Sequence, residues 1–197
     1  MKTIKITSIK MTIQMLFFAL LLTSSCAQSD KKSIINNDTK TVKNATKPSI
    51  DIHAAVLTGN LEAIKQHIDY GTDINKKEPM SGSTPLMSAA TFNKIDIAKT
   101  LINANADLAL KNNDGGTALH TAAFFGRIEI VQLLIDANAD KTIRNNFGAT
   151  PREIVLVDFA QMKPIYEMLT QQLKPMGFTL DLNELQKARP VVAMMLQ

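Results

Sequence analysis

The strongest constraint on this chain is an internal repetition with a period of 33 residues. A unit of this length is one supersecondary element that cannot bury its apolar face alone, so neighbouring copies must stack. An earlier copy is offset by 34 residues. The clearest matches are Thr84, Thr117 and Thr150, then Ala104-Asn105-Ala106-Asp107 with Ala137-Asn138-Ala139-Asp140, and in the earlier copy Asp73 with Asp107.

Each copy carries the signals of two short helices. Thr84-Pro85 begins the first helix, because the hydroxyl can accept bonds from free N–H groups and Pro is favoured at the first helical position. The second helix has apolar residues at i, i+3 and i+4, such as Ala98, Leu101 and Ile102. The positions that end each helix hold residues that tolerate a left-handed backbone, namely Gly59, Asn93 and Gly126, then Gly71, Asn105 and Asn138.

Together these signals resemble an ankyrin repeat. The best copy is Thr117-Ala118-Leu119-His120-Thr121-Ala122-Ala123, with Gly126 and Ile130-Val131-Gln132-Leu133-Leu134 after it. The resemblance spans about residues 50–172, and its last copy is degenerate, with Phe159 at the turn position. It implies an all-α repeat solenoid of about four ankyrin-like helix-turn-helix repeats, with β-hairpin-like fingers and a C-terminal helical cap.

The repetition also suggests how the chain is divided. The expected parts are an export signal at 1–26, a flexible polar tether at 27–49, an ankyrin-repeat domain at 50–172 and a C-terminal helical extension at 173–197. The expected repeats are approximately 50–81, 82–114, 115–147 and 148–172. In the extension, Asp181 or Asn183 can cap a short helix that stops before Pro190. We expect this extension to cover the end of the stack, with a second partner-binding segment as the alternative.

The N-terminus has the pattern of a bacterial export signal. Three lysines precede Met15–Leu22, eight apolar residues that are too few to span a bilayer and fit a signal peptide. Small residues then lead to Cys26, as in a lipobox that makes Cys26 the lipidated first residue, although Thr23 stands where Leu is usual. The alternative is ordinary cleavage before Gln28, which would leave a soluble periplasmic or secreted protein.

Charge and cysteine content exclude several kinds of partner. The formal charge is +4, but without the three lysines of the signal 19 basic residues (22 less 3) face 18 acidic ones. A nearly neutral chain without basic clusters gives no electrostatic case for binding nucleic acid. The one cysteine excludes an intramolecular disulfide and a Cys-based zinc site.

No catalytic or cofactor motif accounts for the remaining residues. Phosphate-binding loops, HExxH helices and GxSxG elbows are absent from the sequence. His53 and His120 share a repeat position at which the ankyrin resemblance implies a histidine bonded to backbone, and His67 is expected at the surface. Asp73, Asp107 and Asp140 recur at one position, which indicates a scaffold role. We therefore expect no catalytic residue, metal, cofactor or small-molecule substrate.

The resemblance also implies where a partner would bind. In ankyrin stacks, contacts come from the finger tips and from the two residues after the alanine pair. The second set is Leu57, Thr58, Thr91, Phe92, Phe124 and Phe125, and the finger tips include Lys77, Asn113 and Asn146. Phe92 and Phe125 share a repeat position, so they would form an aromatic binding wall; the alternative is that these rings pack as core under an adjacent finger.

These observations predict a non-catalytic protein–protein interaction module. We expect a monomer in the bacterial cell envelope, held to a membrane by a lipid on Cys26, whose concave surface binds a protein partner. The alternative function is an immunity-type regulator or inhibitor of one envelope or secreted enzyme.

Overall fold

The computed structural model describes residues 46–197. The expected export signal, Cys26 and nearly all of the tether lie outside the described residues. Within them the chain forms helices and no β-strand, and no helix combines the length and apolar character needed to cross a membrane. The α-helices are α1 Ile52–Thr58, α2 Leu61–Tyr70, α3 Pro85–Thr91, α4 Ile95–Asn103, α5 Ala118–Phe124, α6 Ile128–Asp136, α7 Pro151–Leu156, α8 Phe159–Leu173 and α9 Leu182–Met195.

The first three repeats are the helix pairs α1/α2, α3/α4 and α5/α6, stacked in two layers. First helices pack against first helices, and second helices against second helices. Ala89, Ala90, Ala122 and Ala123 are fully buried, so small side chains let the first helices approach closely. The second layer contributes larger residues such as Leu101, Ile130 and Leu134, and burying one of these stabilises the fold by about 1.5–3 kcal/mol.

The predicted helix ends are confirmed. The Thr84 and Thr150 hydroxyls accept bonds from backbone N–H groups in the first turn of α3 and α7, and Pro follows each threonine. Asn93, Asn105 and Asn138 adopt φ values of 54°, 62° and 61°. These are left-handed conformations that asparagine tolerates better than most residues.

The segments between repeats form fingers that are closed like hairpins. The Asn112 N–H donates to the Gly116 carbonyl at 2.9 Å, and the Asn145 N–H donates to the Ala149 carbonyl at 3.0 Å. Both bonds occupy the same repeat position. The structure is therefore an all-α solenoid of helix-turn-helix repeats with hairpin-like fingers, as the sequence predicts.

The fourth helix pair differs from the expected one. The sequence places its second helix directly after α7, within 148–172, but α7 packs instead against α9, which also contacts α6. These are the two neighbours that a second helix of the repeat must have. The physical reason is burial: α9 buries Leu185, Val192 and Ala193, whereas α8 buries only Tyr166.

The expected end of the last helix before Pro190 is also wrong, because α9 continues through Pro190 to Met195. A proline inside a helix removes the bond to the carbonyl of the residue four positions earlier, here Gln186. Both Pro190 and Gln186 are exposed, so water can satisfy that carbonyl.

Candidate partner-binding surface

In the first two repeats the predicted wall residues Leu57, Thr58 and Thr91 carry no charge of their own. Leu57 and Thr91 are half-buried, and Thr58 is exposed. The two hydroxyls bond within their own helices, from Thr58 to Ala54 at 2.8 Å and from Thr91 to Met87 at 3.1 Å. These residues remain predicted partner contacts, on a surface that offers apolar groups and satisfied hydroxyls.

The expected open aromatic wall is wrong for the third repeat. Phe125 is only 7% exposed, because the ring of Phe178 packs against it with centroids 5.3 Å apart. Phe178 also contacts Phe92, at 5.9 Å and nearly perpendicular. The alternative that the rings pack as core holds for Phe125, but its cover is the segment before α9 and not an adjacent finger.

Phe124 is covered by the same part of the chain. Its ring lies 4.8 Å from that of Tyr166, which is fully buried. The Tyr166 hydroxyl donates to the Phe124 carbonyl at 3.0 Å and accepts a bond from the Arg189 guanidinium at 2.8 Å. Burial raises the pKa of Tyr166, so the phenol stays a donor. No sequence signal identified Tyr166 as a contact of Phe124.

The carbonyls that end the first helices of repeats 2, 3 and 4 each receive a side-chain donor. Thr91, Phe124 and Val157 hold this position and are spaced by 33 residues. Each carbonyl would otherwise lack a helical partner. The donors are, in order, Arg127 at 3.1 Å, Tyr166, and Arg189.

Arg127 also binds the segment that carries Phe178. Its guanidinium donates to the Thr179 carbonyl at 3.2 Å and lies 5.9 Å and 5.7 Å from the ring centroids of Phe125 and Phe178. Burial lowers the pKa of Arg127 to about 10, which leaves it charged at neutral pH. Arg127 therefore fixes the aromatic cluster by cation–π contact and by hydrogen bonds.

Residues 159–180, between α7 and α9, thus form a strap across the turn ends of the first helices. The strap starts at Phe159, whose ring lies 5.8 Å from the Arg189 guanidinium, and reaches repeat 3 at Tyr166 and repeat 2 at Phe178. Its helix α8 has 15 residues, or about 22 Å, which covers about two helix-to-helix spacings.

The predicted finger-tip residues bond to neighbouring fingers. Lys77 donates to the Lys111 carbonyl at 2.6 Å, Asn113 to the Met80 carbonyl at 3.0 Å, and Asn146 to the Asn113 carbonyl at 2.9 Å. Their side chains are exposed, but their donors already tie the fingers into a row. A role for these three residues in partner binding stays a prediction.

Two apolar finger residues that are exposed were not among the predicted partner contacts. Met80 is 72% exposed and Phe147 is 39% exposed. Met80 lies in the finger that contains the one-residue insertion. This departure from the 33-residue period is the sequence signal that could have drawn attention to Met80. Large apolar side chains on rigid fingers are the kind of group that anchors a protein partner.

The histidines serve the scaffold. His120 bonds the Ala149 carbonyl at 3.1 Å and His53 bonds the Lys76 carbonyl at 2.9 Å, so the predicted link from histidine to backbone is confirmed. The expectation that His67 lies at the surface is wrong. It is buried and bonds the Ile50 carbonyl at 2.8 Å and the Thr72 hydroxyl at 3.0 Å, which holds the chain before α1 against α2.

Beside Arg127 lies an open groove of about 940 Å³, between the start of α6 and α9. Ile128 and Val191 give it an apolar part, and Glu129, Glu184 and Lys187 give it charges of both signs. This mixture does not select one ligand class. In residues 46–197 no group of His, Cys, Asp and Glu side chains is arranged to hold a metal ion.

Comparison with known proteins assigns the repeats. Residues 52–145 match the family model described as ankyrin repeats, in three copies. A stretch of 64 residues is 44% identical to protein phosphatase 1 regulatory subunit 27 of Homo sapiens, covering 32% of this chain and 41% of that protein. A stretch of 65 residues is 45% identical to ankyrin repeat-containing protein P1E11.10 of Schizosaccharomyces pombe, covering 32% and 30%.

The chain thus spans less than half of the length of these curated relatives. Among solved structures, the ankyrin repeat domain of Bcl-3, titled a unique member of the IkappaB protein family, is similar with a TM-score of 0.51 and 28% identity. That similarity covers 52% of this chain and 45% of the other. With the helix pairs, caps and fingers described above, these matches show that the chain contains ankyrin repeats.

Proposed function

We propose that this chain is a non-catalytic protein-binding module whose partner contacts the fingers and the open wall of the first two repeats. The observation that carries this proposal is the row of cross-tied fingers, which holds Met80 and Phe147 exposed on a rigid edge. A preorganised edge loses little conformational entropy when it binds. The wall residues Leu57, Thr58 and Thr91 are the second part of the proposed surface.

The recurring polar residues support a scaffold without catalysis. Asp73, Asp107 and Asp140 each accept a bond from the backbone N–H two residues ahead, at 2.9, 2.8 and 2.7 Å. Their shared role is to stabilise a turn. The relatives are named as a regulatory subunit and as an ankyrin repeat-containing protein, which agrees with a binding role for this chain.

We further propose that the module works as a monomer in the bacterial cell envelope. The support is the sequence: an N-terminal lysine-rich and apolar segment ends at Cys26, followed by a polar stretch long enough to hold the repeats away from a membrane. Labelled palmitate should be incorporated into the chain and lost in Cys26→Ala. Incorporation that persists in Cys26→Ala contradicts the anchor.

A second candidate function is regulation of one envelope or secreted enzyme. It is favoured by the similarity to a relative named as a phosphatase regulatory subunit. A regulator and a simple binding module would use the same surface. A change in the activity of a captured enzyme when residues 27–197 are added distinguishes regulation from binding alone.

The proposed surface is tested by capture from an envelope extract with residues 27–197. Thr58→Arg with Thr91→Arg places two cations on the wall, and Met80→Asp with Phe147→Asp places two charges on the fingers. Each pair should reduce capture of a specific partner at least about tenfold, because a desolvated hot spot contributes 2 kcal/mol or more. Gln66→Arg with Gln132→Arg, both exposed on second helices, is the matched control.

Equal capture by the wall pair, the finger pair and the control contradicts the proposed surface. Thermal unfolding of each variant shows whether a loss of capture reflects unfolding. All six positions are exposed or half-buried, so we expect the variants to fold.

A further inference from the structure

The strap is held less tightly than the rest of the stack. Of the 15 residues of α8, only Tyr166 is buried, whereas the nine-residue helices α4 and α6 each bury three. Helix stability in proteins comes mainly from packing of an apolar face. A helix with one buried residue belongs to the low-stability end of a protein, where local opening costs least.

Both ends of the strap suit a segment that opens as a unit. At its start, Val157 has an extended backbone and the exposed Asp158 caps α8. At the other end the exposed Thr179 separates Phe178 from Asp181, the exposed residue that caps α9. The strap thus joins α7 to α9 through two short connections, and α9 packs mainly on α6 and α7 while it meets α8 through the bond from Arg189 to Tyr166.

Opening would uncover the aromatic side chains that the ankyrin resemblance places on the partner surface. Phe178 would leave Phe92 and Phe125, and Tyr166 would leave the Phe124 ring and carbonyl. Clustered aromatic residues with an unsatisfied carbonyl at the centre form a hot spot for a complementary ring and donor.

We propose that the strap is an internal ligand that occupies a second protein-binding site of the module, and that a partner binds there by displacing it. This inference rests on the proposed function and adds a site and a partner chemistry to it. The partner presents the same two features as the strap: a phenol on a helix, whose hydroxyl reaches the Phe124 carbonyl, and a phenyl ring on the segment that follows the helix, which fits between Phe92 and Phe125. It also presents a carbonyl oxygen to Arg127, because opening removes the Thr179 carbonyl from that guanidinium while the bond to the Thr91 carbonyl remains.

The first test measures opening in residues 27–197, which include all of the described residues 46–197. Amide hydrogen exchange should be faster in α8 than in α4 or α9. In Tyr166→Phe, which keeps the ring and removes the hydroxyl, exchange in α8 should rise by about five- to tenfold while α4 is unchanged. Exchange in wild-type α8 that is as slow as in α4 would overturn the proposal.

The second test measures binding in trans to a fluorescent synthetic peptide of residues 158–181. The double variant Tyr166→Ala with Phe178→Ala removes the two side chains that hold the strap in place and keeps the surface that they contact. This variant should bind the peptide at least about tenfold more tightly than wild type does. Adding Phe92→Ala and Phe124→Ala should abolish the binding. Tyr70→Ala with Met194→Ala removes two large exposed side chains elsewhere and should behave as wild type.

Equal peptide affinity for wild type and the strap variant, or binding that survives loss of Phe92 and Phe124, overturns the internal ligand. Neither test requires a natural partner. Capture through the fingers with a strap that stays closed would therefore refute this inference and leave the proposed function standing. Peptide binding without any effect of the wall and finger variants on capture would refute the proposed surface instead.

Discussion

The Tyr166 hydroxyl and the Phe124 carbonyl, 42 residues apart in sequence, form a 3.0 Å hydrogen bond that ties the strap to the third repeat. The carbonyl belongs to the last residue of α5, and the phenol also accepts a bond from the buried Arg189. One side chain therefore links a repeat, the strap and the final helix.

Removing this hydroxyl should lower the stability of the C-terminal half. Tyr166→Phe keeps the ring contacts but leaves a buried carbonyl and a buried guanidinium each short of one partner. We expect the free energy of unfolding to fall by about 1–3 kcal/mol, measured as a lower urea midpoint. Tyr70→Phe, at a 47% exposed position, should leave the midpoint unchanged. An unchanged midpoint in Tyr166→Phe contradicts the importance of this bond.

Arg189 and Tyr166 should be energetically coupled. Arg189 is 4% exposed and bonds the Val157 carbonyl and the Tyr166 hydroxyl, so Arg189→Met removes a charge that is held without a carboxylate. In a double-mutant cycle, Tyr166→Phe should lower the free energy of unfolding by less when Arg189→Met is present, with a coupling energy of about 0.5–3 kcal/mol. Lys187→Met with Tyr166→Phe is the control pair, and it should be additive. Additivity in the Arg189 cycle would show that the two groups act independently.

The sequence predicted those helix ends that are determined by one residue and its neighbours in the chain. The caps at Thr84 and Thr150 and the left-handed positions at Asn105 and Asn138 depend on one residue and its immediate neighbours, and the structure confirms them. The 33-residue period then aligned the copies, so the stacking of the first three repeats followed from sequence alone.

The fourth repeat and the covered aromatic cluster could not be predicted in this way. Continuing the period placed a helix after Phe159, and a helix does form there, but it buries only Tyr166 and does not enter the second layer. The segment that fills it begins at Leu182. The contacts of Phe178 with Phe92 and Phe125 join distant parts of the chain through packing alone, which leaves no periodic signal.

His120 should make stability depend on pH. Burial lowers the pKa of His120, and its Nδ1 accepts a bond from the Thr117 N–H at 3.1 Å, which only the unprotonated nitrogen can do. Above the unfolded value of about 6.5 both states are neutral and this stability is complete. As pH falls below 6.5 the unfolded chain binds a proton first, so stability declines until the lower folded pKa is passed.

His120→Gln removes this titration and retains a side chain that can cap the helix. We expect the urea midpoint to fall less between pH 7 and pH 5.5 in this variant than in wild type. Thr121→Ala changes the same helix without a titratable group and should keep the wild-type slope. A His120→Gln slope equal to that of wild type would assign the pH dependence to other groups.

Gly115 and Gly148 hold the same finger position in successive repeats, with φ values of 73° and 76°, but only Gly115 has a finger beside it. A Cβ at Gly115 would lie 2.7 Å from the backbone nitrogen of Asn146, whereas a Cβ at Gly148 would meet nothing within 4 Å. Gly148→Ala should therefore lower the free energy of unfolding by only about 1 kcal/mol, the penalty for alanine in a left-handed backbone conformation. Gly115→Ala should lower the free energy of unfolding by at least about 1 kcal/mol more, because it must also move the finger that carries Asn146 and break the bond from the Asn146 N–H to the Asp114 carbonyl. Thermal unfolding of the two variants measures the difference. Equal losses of stability would show that the fingers can move apart without energetic cost and do not form a rigid edge.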